Sequence, residues 1–173
     1  MKKVLFIAFC FIASSVWAQD ALQPKPSPTD IAKEMVGETY IKVTYARPHK
    51  KGRAIFGELV PYGKVWRTGA NEATEITFTK DVVFGGKELA AGTYALFTIP
   101  NTSEWTIILN SDLGQWGAYG YKEKNDVLRV NVPVEKADAE YEPFTIKVKK
   151  NGKEASLQLM WDTTQVSVPI QTK

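Results

Sequence analysis

Apolar residues recur at every second position in several short runs along the chain. The runs are Ile41, Val43 and Tyr45; Ile76 and Phe78; Trp105, Ile107 and Leu109; Leu128, Val130 and Val132; Phe144, Ile146 and Val148; Leu157, Leu159 and Trp161; and Val166, Val168 and Ile170. Such a period-2 pattern predicts half-buried antiparallel strands. Between the runs, Gly85-Gly86, Ala91-Gly92 and Asn151-Gly152 provide residues for tight turns.

About eight or nine short strands with this spacing predict an all-β fold. We expect an antiparallel β-sandwich, for which a jelly-roll arrangement is one option, and a closed β-barrel is the alternative. Helical periodicity is weak throughout, and the segment Ile31–Gly37 is the one place where we expect a short helical turn. We predict a single domain over residues 37–173, preceded by a Pro-rich spacer and short lead-in over residues 19–36.

The first eighteen residues have the three parts of a secretory signal peptide. Lys2 and Lys3 precede an apolar run from Val4 to Ala13, and small residues lead to a cleavage site after Ala18. The apolar run is shorter than the ~18 residues that a transmembrane helix needs. We therefore expect an exported protein, periplasmic or extracellular, without a membrane span after cleavage.

Composition excludes several classes of function. The chain has 22 Lys and Arg against 19 Asp and Glu, and removing Lys2 and Lys3 with the leader would leave these nearly balanced. A general nucleic-acid partner is therefore not expected. The single cysteine, Cys10, lies in the leader, and His49 is the single histidine. Thiol chemistry, disulfides and a typical zinc site are thus excluded, and we expect no metal and no cofactor.

The segment Arg47–Phe78 is dense in glycine, proline and basic residues, and its sequence is characteristic. It contains R-P-x-x-K-G-R-x-I-F-G-x-L-V-P-Y-G-x-V-W-R-T-G-A-N-E-A-T, and G-x-x-L-x-A-G-T-Y-x-L-F-T-I-P follows from Gly86. With W-T-I-I-L-N, W-G and D-V-L-R-V further on, this resembles the bacterial domain of unknown function 2911 family from about Ser27 to Ile170. The resemblance implies an exported β-rich domain and implies no reaction.

Three arginines in this segment are candidate ligand-binding residues: Arg47, Arg53 and Arg67. A guanidinium group binds carboxylate, phosphate or sulfate through two parallel hydrogen bonds, so the three could form an anion pocket. Buried arginines are also found in internal ion-pair networks, with Glu72, Glu58 or Asp126 as partners. The sequence leaves both interpretations open.

The remaining candidates are Trp66, Asn71, Glu72 and Trp116. The two indole rings could stack on a sugar if they are exposed, or fill the core if they are not, whereas Trp105 and Trp161 alternate in strands and are expected in the core. Asn71 is suited to a turn, and Glu72 lies just before a predicted strand.

Three functions are compatible with these residues. The first is a non-enzymatic binding module for a glycan or a small anion, with the Arg47–Glu72 segment as its site. The second is a hydrolase that uses Glu72 or Asp126 as acid or base. The third is a structural envelope protein in which the segment only stabilises the fold.

Overall fold

The computed structural model describes residues 24–172, so the predicted leader and Cys10 lie outside the described residues. The strands are β1 (Thr29–Val36), β2 (Thr39–Ala46), β3 (Thr74–Phe78), β4 (Val82–Phe84), β5 (Lys87–Leu89), β6 (Gly92–Ile99), β7 (Glu104–Asn110), β8 (Asp126–Asn151) and β9 (Glu154–Thr172). A 3₁₀ turn at Glu123–Asn125 is the one helical element in this range. In the same range, no helix is long and apolar enough to cross a membrane.

All strand pairs are antiparallel, and the sheet order is β1-β2-β3-β6-β7-β8-β9-β4-β5. Residues 126–133 of β8 pair with β7, and residues 134–151 pair with β9. β8 therefore joins two halves of one folded sheet. The main apolar core is one large cluster, and Ala73, Ala95, Phe97 and Ile108 form a second, smaller one. The all-β antiparallel prediction is confirmed. The sheet is open, with β1 and β5 at its edges, so the alternative of a closed barrel is wrong.

The predicted inward positions form this core. Ile41, Val43, Ile76 and Phe78 are fully or almost fully buried, and the corresponding residues of β7, β8 and β9 pack against them. Burial of each large apolar side chain contributes about 1.5–3 kcal/mol. The expected turns also form, because Gly85, Gly86 and Gly152 all have positive φ angles, of 58°, 81° and 65°.

The N-terminal lead-in differs from the prediction. Residues 29–36 form β1, which pairs with β2 along its whole length, so the helical turn expected over Ile31–Gly37 is wrong. Ile31 and Met35 are exposed, and Val36 is the buried residue of this edge strand. Residues 29–36 of the predicted lead-in are thus part of the sheet.

Candidate functional site

Arg47 connects three parts of the fold. Its guanidinium lies 3.3 Å from Oδ2 of Asp30, donates to Oγ1 of Thr145 at 3.0 Å, and donates through Nε to the carbonyl of Phe144 at 3.3 Å. These contacts join the end of β2 to β1 and to β8. Arg47 therefore stabilises the fold. Its acidic partner is Asp30, whereas the sequence had suggested Glu58, Glu72 or Asp126.

Arg53 stabilises a turn by donating to backbone oxygens. Nε donates to the carbonyl of Lys50 at 3.0 Å, and one terminal nitrogen donates to the carbonyl of His49 at 2.6 Å. Lys51 and Gly52 adopt positive φ angles of 50° and 70° between them. In the described part of the chain Arg53 has no acidic partner, so its positive charge is not neutralised by an ion pair.

Arg67 is the exception among the three arginines. Its Nε is buried and has no hydrogen-bond partner within residues 24–172, and no ion pair forms there either. Desolvation by burial lowers the pKa of Arg67, and the neighbouring phenol of Tyr119 acts in the opposite direction. Buried donors are nearly always satisfied in folded proteins, so this one indicates a missing acceptor.

A cavity of about 300 Å³ lies beside these residues. Arg53, Arg67 and Asn71 contribute to its wall, together with Ser27, Pro48, Leu59, Val60, Trp66, Gly69, Ala70 and Trp161. The fold thus places two of the three predicted arginines and Asn71 around one cavity. Arg47 is not part of this wall.

Trp66 lies in the core and is only 8% exposed. Its ring stacks on Trp161 with centroids 5.9 Å apart and meets Phe144 edge-on at 5.0 Å, and Nε1 donates to the carbonyl of Gly69 at 3.1 Å. The alternative of an exposed stacking ring is therefore wrong for Trp66. Trp105 and Trp161 are 2% exposed each, as expected for core residues.

Trp116 is exposed, with 59% of its surface accessible, and it lies beside Glu72. The backbone N–H of Gly117 donates to the carbonyl of Asn71 at 3.0 Å, which holds the two loops side by side.

Asn71 has a φ of 58°, and its amide donates to the carbonyl of Ser27 at 3.2 Å. Asn71 therefore forms the predicted turn and also fixes the segment that precedes β1.

Glu72 is half-exposed and paired. Its Oε1 accepts a hydrogen bond from Nζ of Lys25 at 2.8 Å, and this contact lowers the pKa of Glu72. The same ammonium lies 5.9 Å from the centroid of the Trp116 ring. The cation that pairs with Glu72 is therefore Lys25. The sequence had suggested Arg53 or Arg67 as its partner, and neither forms that pair in the described chain.

Asp126 occupies a separate, nearly buried network. It accepts from Asn110 at 2.7 Å and from the hydroxyl of Tyr121 at 2.6 Å, and Nε of Arg129 lies 2.9 Å away. No hydrogen bond or ion pair of the described residues links Asp126 and Glu72 to a common side chain.

Two loop residues extend the predicted set. Tyr119 is 91% exposed, and a Cβ on Gly117 would lie 2.8 Å from its ring, so the ring packs closely over that glycine. Oε1 of Gln115 is a buried acceptor without a partner among the described residues. Gly114 and Gly117, both with positive φ, flank Gln115-Trp116 and are the sequence signal that could have indicated this loop.

Two tyrosines are expected to titrate late. Burial, the largest cause in both, raises the pKa of Tyr45 and of Tyr121 to about 12. Hydrogen bonds from their hydroxyls to Asp30 and Asp126 act in the same direction. Because the folded protein holds these protons above the unfolded pKa near 10, their contribution to stability is full below about pH 10 and is lost as the pH rises through about 12.

We expect ultraviolet titration at 295 nm to show phenols that ionise well above about pH 10, and Tyr45→Phe to reduce that late amplitude. Absence of the late amplitude, or its full retention in Tyr45→Phe, would contradict the buried hydrogen-bonded positions.

Comparisons with known proteins identify the family and give no further relative. A family model described as "Protein of unknown function (DUF2911)" matches residues 27–170. No curated protein and no solved structure gives a significant match. In the described residues, no group of three or more His, Cys, Asp or Glu side chains is placed to hold a metal ion. Because the family match extends from the segment before β1 to the end of β9, the chain belongs to the DUF2911 family of proteins of unknown function.

Proposed function

We propose that this protein is a non-enzymatic binding module that takes a small anionic ligand, an organic acid or an acidic sugar, at Arg67. The observation that carries the proposal is the buried Nε of Arg67, which lacks an acceptor within residues 24–172. A cavity of about 300 Å³ has Arg67, Arg53 and Asn71 in its wall and offers space for such a ligand.

The free energy of the unliganded site supports this assignment. The buried Nε of Arg67 costs stability, because removing this donor from water is not offset by a hydrogen bond. A ligand carboxylate, phosphate or sulfate would bind the two terminal nitrogens of Arg67, which have no partner within residues 24–172, in the bidentate geometry that arginine favours. Arg53, which lacks an acidic partner in the described chain, adds positive charge to the same wall.

The adjoining loop supports a ligand that also carries hydroxyl groups. Two adjacent residues connect the segments. The N–H of Thr74 donates to the carbonyl of Arg67, and the N–H of Ala73 donates to the carbonyl of Gln115. The loop that carries Gln115 is thus held beside the segment that carries Arg67. The exposed rings of Trp116 and Tyr119 provide flat apolar surface of the kind that stacks on sugar rings. The leader pattern supports an exported location for this activity.

A thermal-shift screen with organic acids, uronic acids, phosphate, sulfate and neutral sugars tests the proposal. A ligand at about 100 times its dissociation constant stabilises the folded state by about 2.7 kcal/mol. For a domain of this size we expect the melting temperature to rise by roughly 5–10 °C. Arg67→Gln should abolish the rise and leave the apo protein equally or more stable, since the guanidinium makes no ion pair to lose.

Arg47→Gln is the matched control, because it removes one arginine from the same segment but breaks the contacts to Asp30 and Thr145. This variant should melt at a lower temperature and still respond to the ligand. A wild-type protein that responds to no compound, or an Arg67→Gln variant as destabilised as Arg47→Gln, would refute the binding function and support the structural one.

A further inference from the structure

A second cavity, of about 760 Å³, lies on the face formed by β1, β8 and β9. Its wall includes Ile31, Lys33, Lys136, Lys147, Lys149 and Gln158. We call it the lysine groove. Its lysines come from three separate parts of the sequence, so the arginine-rich segment analysed above contributes nothing to it.

The bend of the β8-β9 hairpin forms the groove. The register between these strands shifts twice, between Lys136 and Tyr141 and between Tyr141 and Thr145, and Asp162 opposite the bend has a φ of 56°. The edge strand β1 lies alongside the far arm of β8, where Nζ of Lys150 donates to the carbonyl of Met35 at 2.9 Å. The bend and the edge strand together leave a concave surface.

The groove continues into two further depressions. One, of about 460 Å³, shares Ile31 and Lys33 with it and adds Lys42 and Tyr40. The other, of about 480 Å³, shares Lys149 and Gln158 with it and adds Lys150. The shared walls make one elongated path across β2, β1, β8 and β9, which suits a linear polymer better than a compact molecule.

Several lysines along this path form no ion pair within residues 24–172. Lys33 and Lys42 are directly opposite each other in the β1-β2 ladder, an arrangement that is destabilising for like charges. Lys33, Lys42, Lys136 and Lys149 form no ion pair in the described chain.

Three carboxylates also line this path: Asp138, Asp30 and Glu154. Asp30 is held by Arg47, whereas Asp138 and Glu154 accept from the neutral hydroxyl of Tyr141 at 2.9 Å and the neutral amide of Gln171 at 3.5 Å and keep their negative charge. The Tyr141 ring in turn lies 5.3 Å from Nζ of Lys147. The path therefore carries six lysines (Lys33, Lys42, Lys136, Lys147, Lys149 and Lys150) against the two carboxylates that form no ion pair in the described chain, and its net charge is positive.

We propose that the lysine groove binds a linear anionic polysaccharide. Its carboxylate or sulfate groups would contact the ammonium groups, and the amide of Gln158 is available to hydrogen-bond its hydroxyls. The described groove contains no arginine, and Tyr40 and Tyr141 are its only aromatic rings. Single-stranded nucleic acid is bound by a cationic groove together with successive stacking aromatics, so the scarcity of rings disfavours that polymer here. This binding is independent of the Arg67 cavity.

The test measures binding to polygalacturonate, dextran sulfate, neutral dextran and a single-stranded oligonucleotide at several salt concentrations. The wild-type protein should bind the two anionic polysaccharides, with an affinity that falls as salt rises, and should not bind neutral dextran. The triple variant Lys33→Gln, Lys147→Gln and Lys149→Gln should weaken binding by about tenfold or more and flatten the salt dependence by about one unit of slope for each lysine in contact.

The matched control replaces three exposed lysines outside the groove, Lys64, Lys122 and Lys124, with glutamine and changes the net charge equally. It should alter affinity by less than about twofold, since distant charges are screened. The groove variant should remain folded because it removes repulsion, and a Lys→Arg triple at the same positions should retain binding. Equal losses in both variants, absence of polysaccharide binding, or tighter binding of the oligonucleotide would each overturn the proposal.

Discussion

Replacing Trp66 with alanine should lower the free energy of unfolding by about 3–5 kcal/mol, a large share of the 5–15 kcal/mol that stabilises a typical domain. The ring lies in an aromatic cluster with Phe56, Trp105, Phe144 and Trp161. Its removal would leave a cavity among four rigid rings that cannot close around it. Urea unfolding, followed by circular dichroism, measures the change.

Trp116→Ala is the matched control for this experiment. It deletes the same side chain from an exposed loop position, and surface substitutions usually change stability by less than about 0.5 kcal/mol. If Trp116 supports ligand binding, this variant should lose affinity for sugar ligands while its unfolding curve stays unchanged. Equal destabilisation by the two substitutions would contradict the buried position of Trp66.

Removing the carboxylate of Asp126 should destabilise the protein by about 2–4 kcal/mol. Asp126→Ala would leave Asn110, Tyr121 and Arg129 without their shared acceptor, and Asp126 itself is almost completely buried. The expected value lies below that of a fully buried pair, because the Arg129 side chain is 35% exposed and water can replace part of the lost interaction. Chemical denaturation again provides the measurement.

Glu123→Ala is the control, since Glu123 is an exposed partner of the same Arg129, at 2.8 Å. An exposed ion pair contributes about 0–1 kcal/mol, so this variant should unfold almost as the wild type does. Should Asp126→Ala instead keep full stability and remove a hydrolytic activity, the acid-base function of Asp126 would be supported over its structural one.

The strands of the core were predictable because alternation is a local property. In a strand, every second side chain points to the same face, so a series such as Trp105, Ile107 and Leu109 can be recognised from a few neighbouring residues. β1 was not predicted, because its alternation is weak. As an edge strand it buries little, and its outward positions carry Ile31 and Met35. The alternation of polarity that identifies a half-buried strand is therefore weak there.

The candidate site was predictable only as a set of residue types. From the sequence, Arg47, Arg53 and Arg67 were equally good candidates for anion binding. Which of them already has a partner depends on contacts with residues that are distant in the sequence. Arg47 pairs with Asp30 and Thr145, which lie on β1 and β8, and no local pattern encodes those distances. The lysine groove was missed because its cations lie in separate strands that only the folded sheet brings together.

The two long strands β8 and β9 have a consequence for the way the protein unfolds. β8 is hydrogen-bonded to β7 in one half of the sheet and to β9 in the other, and β9 continues to β4. Neither half can therefore melt without disrupting a strand that the other half needs. This continuity favours a single cooperative transition, so that an optical signal from one tryptophan reports the unfolding of the whole domain.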